Sequence, residues 1–233
     1  MRKKSFLVLT FFLLSLSLFA QREADPRWVF RMSVTGTDMN RNLVPSTGKT
    51  MLKPAFSLGV SRNIEIIPKM LGVNVGLRYS PRGYWSQHKS KDSLGAQVSK
   101  DRNWLSLHYL DVPVDLVVQL GGERTKFFAT AGGYFGIGVY GQQKLQFWNK
   151  DVVAGANGTF PTVDAKHTTR TDPFKDKLNR LDYGANFGVG FRRGYTVFGI
   201  TYSQGLADLA VSGDPIRNRA VGLFLSYYFD DAF

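Results

Sequence analysis

The stretch N-R-A-V-G-L-F-L-S-Y-Y-F, residues 218–229, decides the fold. Side chains of a strand point alternately to its two faces. Val221, Leu223, Leu225, Tyr227 and Phe229 therefore share one face, and Ala220, Gly222, Phe224, Ser226 and Tyr228 the other. An apolar face ending in aromatics, opposite a face of mostly small residues, is the pattern of a transmembrane β-strand.

Seven upstream segments repeat it: Trp28–Thr35, Ala55–Arg62, Leu71–Ser80, about Leu107–Leu120, Lys126–Tyr140, Leu181–Phe191 and Tyr195–Gln204. Each is near the ~9–11 residues of a tilted membrane strand. In the third, Val73, Val75, Leu77 and Tyr79 stand opposite Asn74, Gly76 and Arg78. In the fourth, Leu110, Val112, Val114, Leu116 and Val118 stand opposite Asp111, Asp115 and Gln119. The connections alternate as well. Residues 36–54, 81–106, 141–180 and 205–217 are long, and 63–70, 121–125 and 192–194 are short. Short periplasmic turns and long external loops are the habit of outer-membrane barrels.

A soluble barrel or sandwich also alternates, but it turns Lys, Glu and Thr outward. Here the weaker face is Gly and Ser with a few Asp, Asn and Arg, a composition for a crowded lumen. The expected fold is all-β, an eight-stranded antiparallel transmembrane up-and-down β-barrel with long external loops.

Arg2, Lys3 and Lys4 followed by the apolar run Ser5–Phe19 read as an export signal, with cleavage at Ala20-Gln21. The run is shorter than the ~20 residues of a spanning helix. Residues 1–20 are thus expected to be a cleaved signal peptide, and 21–233 one barrel domain. The chain has no cysteine, which excludes disulfides and lipid attachment at cysteine. Its formal charge is +12; removing residues 1–20 takes away three positive charges and no negative one, leaving +9. Outer-membrane lipid and lipopolysaccharide phosphates are natural partners for such a chain. There is no dense basic run or motif for nucleic acid, and that partner is not expected.

The polar face carries Arg31, Arg78 and Arg192 with Asp111, Asp115 and Asp182. Buried charges must be paired, and eight strands enclose only enough space for their own side chains. An Arg–Asp network in the lumen is expected, with Arg78 meeting Asp111 or Asp115. It would hold the barrel together; the functional alternative is a gate or proton path. Asp111 and Asp115 are four apart on one strand, so their Cα atoms lie roughly 13–14 Å apart, too far for an acid–base dyad.

Ser106 and His108 share a face at the external end of the fourth strand, the minimum for acyl transfer, but no orienting carboxylate is evident. His88 and His167 read as loop histidines without a metal cluster, and neither metal nor cofactor is expected. Gly184-x-x-x-Gly188-x-Gly190 lies within an alternating strand, so its glycines are expected to make room in the lumen or to permit strong curvature instead of cradling a phosphate. Tyr84, Trp85, Lys89, Lys91 and Trp148, in the long loops, are the candidate contact residues.

Tyr79-Ser80-Pro81-Arg82-Gly83-Tyr84 and Tyr109-Leu110-Asp111-Val112-Pro113-Val114 resemble the paired "YSxKG" and "YLEIP" signatures of PorT-like outer-membrane barrels. Tyr202–Leu209 and Asn218-Arg219 are similar to the same family's ending. Asp111 departs from the family's usual Glu, and the 141–180 loop is long. The resemblance implies an OmpA-like eight-stranded barrel. The namesake supports protein secretion through the type IX system, while most members have no assigned role. The expectation is a non-enzymatic scaffold or accessory component working with secretion or assembly proteins. The alternatives are a narrow solute channel, in keeping with the family's "porin" label, and a lipid-acting enzyme.

Overall fold

The computed structural model describes residues 27–40, 49–91, 97–122, 124–152 and 162–229. The expected signal peptide lies outside the described residues. Among the described residues ten strands run in chain order: β1 Arg27–Asn40, β2 Lys49–Met51, β3 Lys53–Ile67, β4 Leu71–Lys91, β5 Gln97–Gly121, β6 Lys126–Val152, β7 Thr162–Thr171, β8 Leu181–Arg193, β9 Thr196–Gly205 and β10 Arg217–Phe229. Eight of them close a ring. β3, β4, β5, β6, β8, β9 and β10 follow one another, and β10 pairs with β1, which pairs with β3. Every pairing is antiparallel. The closing ladder runs from Trp28↔Phe229 to Asn40↔Arg217. Closure leaves no strand of the ring at the edge of an open sheet, the condition for strands to stand in hydrocarbon.

Burial is inverted relative to a soluble barrel. Leu223 is 65 % exposed and Val34 60 %, whereas Asp111 and Asp182 are wholly buried. The apolar faces predicted from the alternation point outward. Aromatics edge the band at both ends. Tyr195, Tyr227 and Phe229 cluster at the end with short turns. Tyr79 and Tyr140 pack on His108 at the other. From Phe127 to Tyr140, β6 covers about 43 Å of strand, or ~30 Å of height at a ~45° tilt.

The strands overrun the expected boundaries. β6 has 27 residues and β5 has 25, far more than a membrane crossing requires. The segments 81–106 and 141–180 were expected to be loops; most of each is strand. The polar residues that argue for loops pair with one another instead, β4 with β5 as far as Lys91↔Gln97, and β6 with β7 through Val152↔Thr162. Beyond the membrane a strand needs partners but no apolar face, so hydropathy does not reveal it. β2 pairs with β4 in the same way.

One stretch of wall is paired on one side only. The β3–β4 ladder ends at Leu58↔Tyr79, and β4 regains a partner on that side at Met51↔Trp85. Pro81, which has no N–H to give, sits inside this interval. Side chains answer carbonyls there: Thr37 Oγ1 donates to Gly83 O at 3.0 Å and Lys53 Nζ to Arg82 O at 3.2 Å. Gly83 has φ +131, and a Cβ on it would collide with the carbonyl of Leu105.

Leu223→Arg places a cation on the lipid face near the middle of β10. It is expected to cost ~2–4 kcal/mol in urea unfolding from lipid vesicles. The same exchange at Val211, outside the strands, is expected to change stability by less than about 0.5 kcal/mol.

Candidate functional site

The lumen is built in three layers. Near the turn end Val29, Val117, Phe128, Val197, Phe224 and Tyr228 form an apolar floor. At the opposite mouth Tyr84, Leu105, Leu107, Tyr109, Phe174 and Leu209 belong to an apolar cap. Between them lies the charged layer.

Arg82 is the centre of that layer. Its NH2 donates to Asp111 Oδ2 at 2.5 Å, and its NH1 pairs with Asp182 Oδ2. Its guanidinium lies between the rings of Tyr109 and Tyr134, 4.5 Å from each centroid. Arg78 reaches Asp111 Oδ2 at 3.1 Å from the side. Asn218 Nδ2 donates to Asp182 Oδ2 at 2.7 Å. One network thus ties β4, β5, β8 and β10 across the interior. Glycines on β6 and β8 make the space. A Cβ on Gly136 would strike the Asp111 carboxylate, and one on Gly184 would lie 2.8 Å from the Tyr134 hydroxyl.

The other candidates of the polar face are distributed along the axis. Asp115 shares a hollow of about 20 Å³ with Arg31, Arg78 and Asn74, and accepts from Asn186 Nδ2 at 3.4 Å. Arg31 donates to Ser226 Oγ at 3.0 Å and lies over the Phe224 ring. Arg192 was expected among the aspartates. It stands at the turn end, donating to Gln119 Oε1 at 2.7 Å and to Gly194 O, with its guanidinium over Tyr228. Its place on β8, ten residues from Asp182, sets it at the opposite end of the lumen.

Arg82 was missed in the sequence because Pro81 and Gly83 flank it and suggest a loop. The signal was nevertheless present. Asn74, Arg78 and Arg82 keep the even parity of the inward face of β4.

Phe174 and Leu178, in the segment 172–180 after β7, complete the cap. Asp172 accepts the N–H of Phe174 at 3.0 Å and starts the short helix Pro173–Asp176. Phe174 lies over Gly138 and Gly141 and meets the Tyr109 ring edge-on. Between 206 and 216 the Asp208 carboxylate accepts the N–H groups of Ala210 and Ile216, at 2.9 and 3.0 Å. Those bonds hold its pKa below the ordinary carboxylate value.

The expected loop contacts are corrected. Tyr84, Trp85, Lys89 and Lys91 lie on β4 and Trp148 on β6. Tyr84 is buried in the cap, and Trp85 stacks on Trp104 at 5.2 Å. His88 and His167, expected in loops, lie on β4 and β7. Among the described residues no group of three His, Cys, Asp or Glu could hold a metal. Ser106 and His108 share a face, but Ser106 Oγ accepts from Lys53 Nζ at 2.6 Å, while His108 Nδ1 pairs with Tyr79 OH at 2.5 Å. The two do not form a nucleophile–base pair.

A family model described as "Outer membrane protein beta-barrel domain" matches residues 19–211. Among solved structures the chain is similar to Neisserial surface protein A, at 10% identity, covering 87% of this chain and 97% of that one, with a TM-score of 0.41. It is similar to Ail, the attachment invasion locus protein of Yersinia pestis, at 12% identity, covering 88% and 99%, with a TM-score of 0.38. It is also similar to the outer membrane protease OmpT of Escherichia coli, at 10% identity, covering 89% and 98%, with a TM-score of 0.37. A search of curated proteins gives no match.

Arg82→Met leaves two buried carboxylates without their shared cation and is expected to cost roughly 3–5 kcal/mol in urea unfolding. Arg78→Met, which leaves Arg82 on Asp111, is expected to cost distinctly less. The Asp208 pKa is lowered by folding, so its contribution is present above the unfolded value of ~3.9 and is lost as pH falls through the folded one. Amide exchange at Ala210 and Ile216, corrected for intrinsic rate, is expected to accelerate below about pH 4, and Asp208→Asn to remove that dependence.

Proposed function

We propose that this chain, which belongs to the outer membrane protein β-barrel domain family, is a closed, non-enzymatic barrel serving as a scaffold or accessory component in protein secretion or envelope assembly. Its place is the cell outer membrane.

The observation that carries the reading is the filled lumen. An apolar floor, the Arg82 network and the Phe174 cap lie in series along the axis. The cavity beside Arg82 has about 30 Å³, space for a water or two and not for a solute path. A barrel that offers nothing through its middle must act by its surface. The sheet of β4 to β7, which continues past the aromatic edge of the band, supplies one. The PorT-like signatures around Ser80–Tyr84 and Tyr109–Val114 favour secretion among surface roles. They also coincide with the architecture, because they contain Arg82, Tyr109 and Asp111 of the buried network. The acyl-transfer pair of Ser106 with His108 is disfavoured, because Ser106 is engaged with Lys53 and His108 with Tyr79.

Two measurements test this. In planar bilayers the protein is expected to give no discrete ion current at neutral pH; a steady conductance would replace the scaffold with a narrow channel. Native purification from outer membrane in mild detergent is expected to bring secretion or assembly proteins in reproducible stoichiometry. A barrel carrying lipid alone would sink the accessory role.

A further inference from the structure

The break in the β3–β4 ladder stands in front of a cavity. Between Leu58↔Tyr79 and Met51↔Trp85 no ladder pair joins the two flanks. A proline, which gives no N–H to a ladder, stands on each lip of this seam, Pro54 on β3 and Pro81 on β4. Side chains hold the seam instead, Thr37 and Lys53 through the carbonyls of Gly83 and Arg82. Such bonds can part without unravelling a strand pair.

Ser57, next to the last ladder residue of β3, and Ser80 and Pro81 of β4 all line the cavity of about 30 Å³ beside Arg82. That is about the room of two waters or of one carboxylate group. Arg31, Arg78, Arg82 and Arg219 also stand on its lining, and no carboxylate does. Arg78 is paired with Asp111, Arg82 with Asp111 and Asp182, and Arg219 with Asp38. Arg31 has no such pair among the described residues. Its Nε donates to Ser226, but its NH2 is buried and has no acceptor. Asp115 shares a second hollow with Arg31 and accepts from Asn186 instead. A buried guanidinium N–H left without an acceptor is costly, and an anionic oxygen answers it best. Asn218 Oδ1, also unanswered on this lining, is an acceptor that a water or a neighbouring hydroxyl serves.

The outside of the seam is apolar. Phe56, Leu58 and Tyr79 are exposed on the lipid face. Pro81 is the ladder partner of His108, on which Tyr79 and Tyr140 pack at the outer aromatic edge. The seam therefore opens where hydrocarbon meets the head-group layer. A long-chain fatty acid in a leaflet keeps its carboxylate at that height and its chain in the hydrocarbon below. A small inorganic anion would use the cavity and leave the seam without a purpose. A phosphorylated sugar would exceed the cavity.

We propose that the seam between β3 and β4 is a binding site for a single-chain fatty acid. Its carboxylate enters the cavity and meets Arg31, and its chain lies along Phe56, Leu58 and Tyr79. The ligand comes in through the wall and needs no path along the axis. The site therefore goes beyond the scaffold reading and stands whichever proteins accompany the barrel.

The test titrates the full barrel, in a nonionic detergent, with palmitate isotope-labelled at its carboxyl carbon and separately with acetate labelled in the same way. The wild type is expected to show a palmitate carboxyl resonance distinct from that in empty micelles, saturating at one molecule per barrel. Arg31→Gln is expected to weaken palmitate binding at least about tenfold. Ser80→Phe changes no charge and fills the cavity from the lip, and is expected to abolish binding. Each variant must keep its faster migration when unboiled, which shows that the barrel is folded; if Arg31→Gln does not, Ser80→Phe decides. No distinct resonance in the wild type, or undiminished binding by a folded variant, would overturn the proposal. Acetate binding as tightly as palmitate would overturn the assignment to an amphiphile.

Discussion

Charge enclosed by eight strands must be answered from inside the ring, because the lumen has no room for bulk water and the wall faces hydrocarbon. Arg82 meets that constraint for two carboxylates at once, standing between Asp111 and Asp182 and sandwiched by two tyrosine rings. Much of the inner surface is arranged around it. Gly136 and Gly184 are small where the carboxylate and Tyr134 need volume. Thr37 and Lys53 satisfy carbonyls where β4, carrying Arg82, has left β3. The apolar floor and cap exclude water from above and below, which strengthens each electrostatic contact between them.

The faces of the strands were legible in the sequence because alternation is a local property. Val112 and Asp111 are adjacent, and their opposite fates follow from the pleat alone. The meeting of Arg78 with Asp111 was within reach for the same reason, since both lie on inward faces of consecutive strands. Strand length was not legible. Residues 84–91 and 141–152 are polar or mixed, and only their pairing with distant segments makes them strands. Nor was the cap. Phe174 reads as one loop aromatic among several, and its place over Gly138 depends on a tertiary approach that no local pattern encodes.

Arg82 falls between these cases. Its parity was local, but Pro81 carries the opposite message, that a central strand cannot continue there. Both readings are right. The strand continues, and it does so where one flank has no ladder. A proline in an alternating run can therefore mark a gap in a neighbour's pairing as well as the end of a strand.

The ladder between Trp28 and Phe229 has a consequence in time. The first strand of the ring has its second neighbour in the last, about two hundred residues later in the chain. Until β10 arrives, β1 presents an open edge to whatever is nearby, and the buried charges of β5 and β8 lack the Asn218 side of their enclosure. The barrel is therefore finished by its final segment and cannot mature in step with the passage of the chain. Whatever escorts the polypeptide to the membrane must keep that first edge occupied until the last strand takes its place.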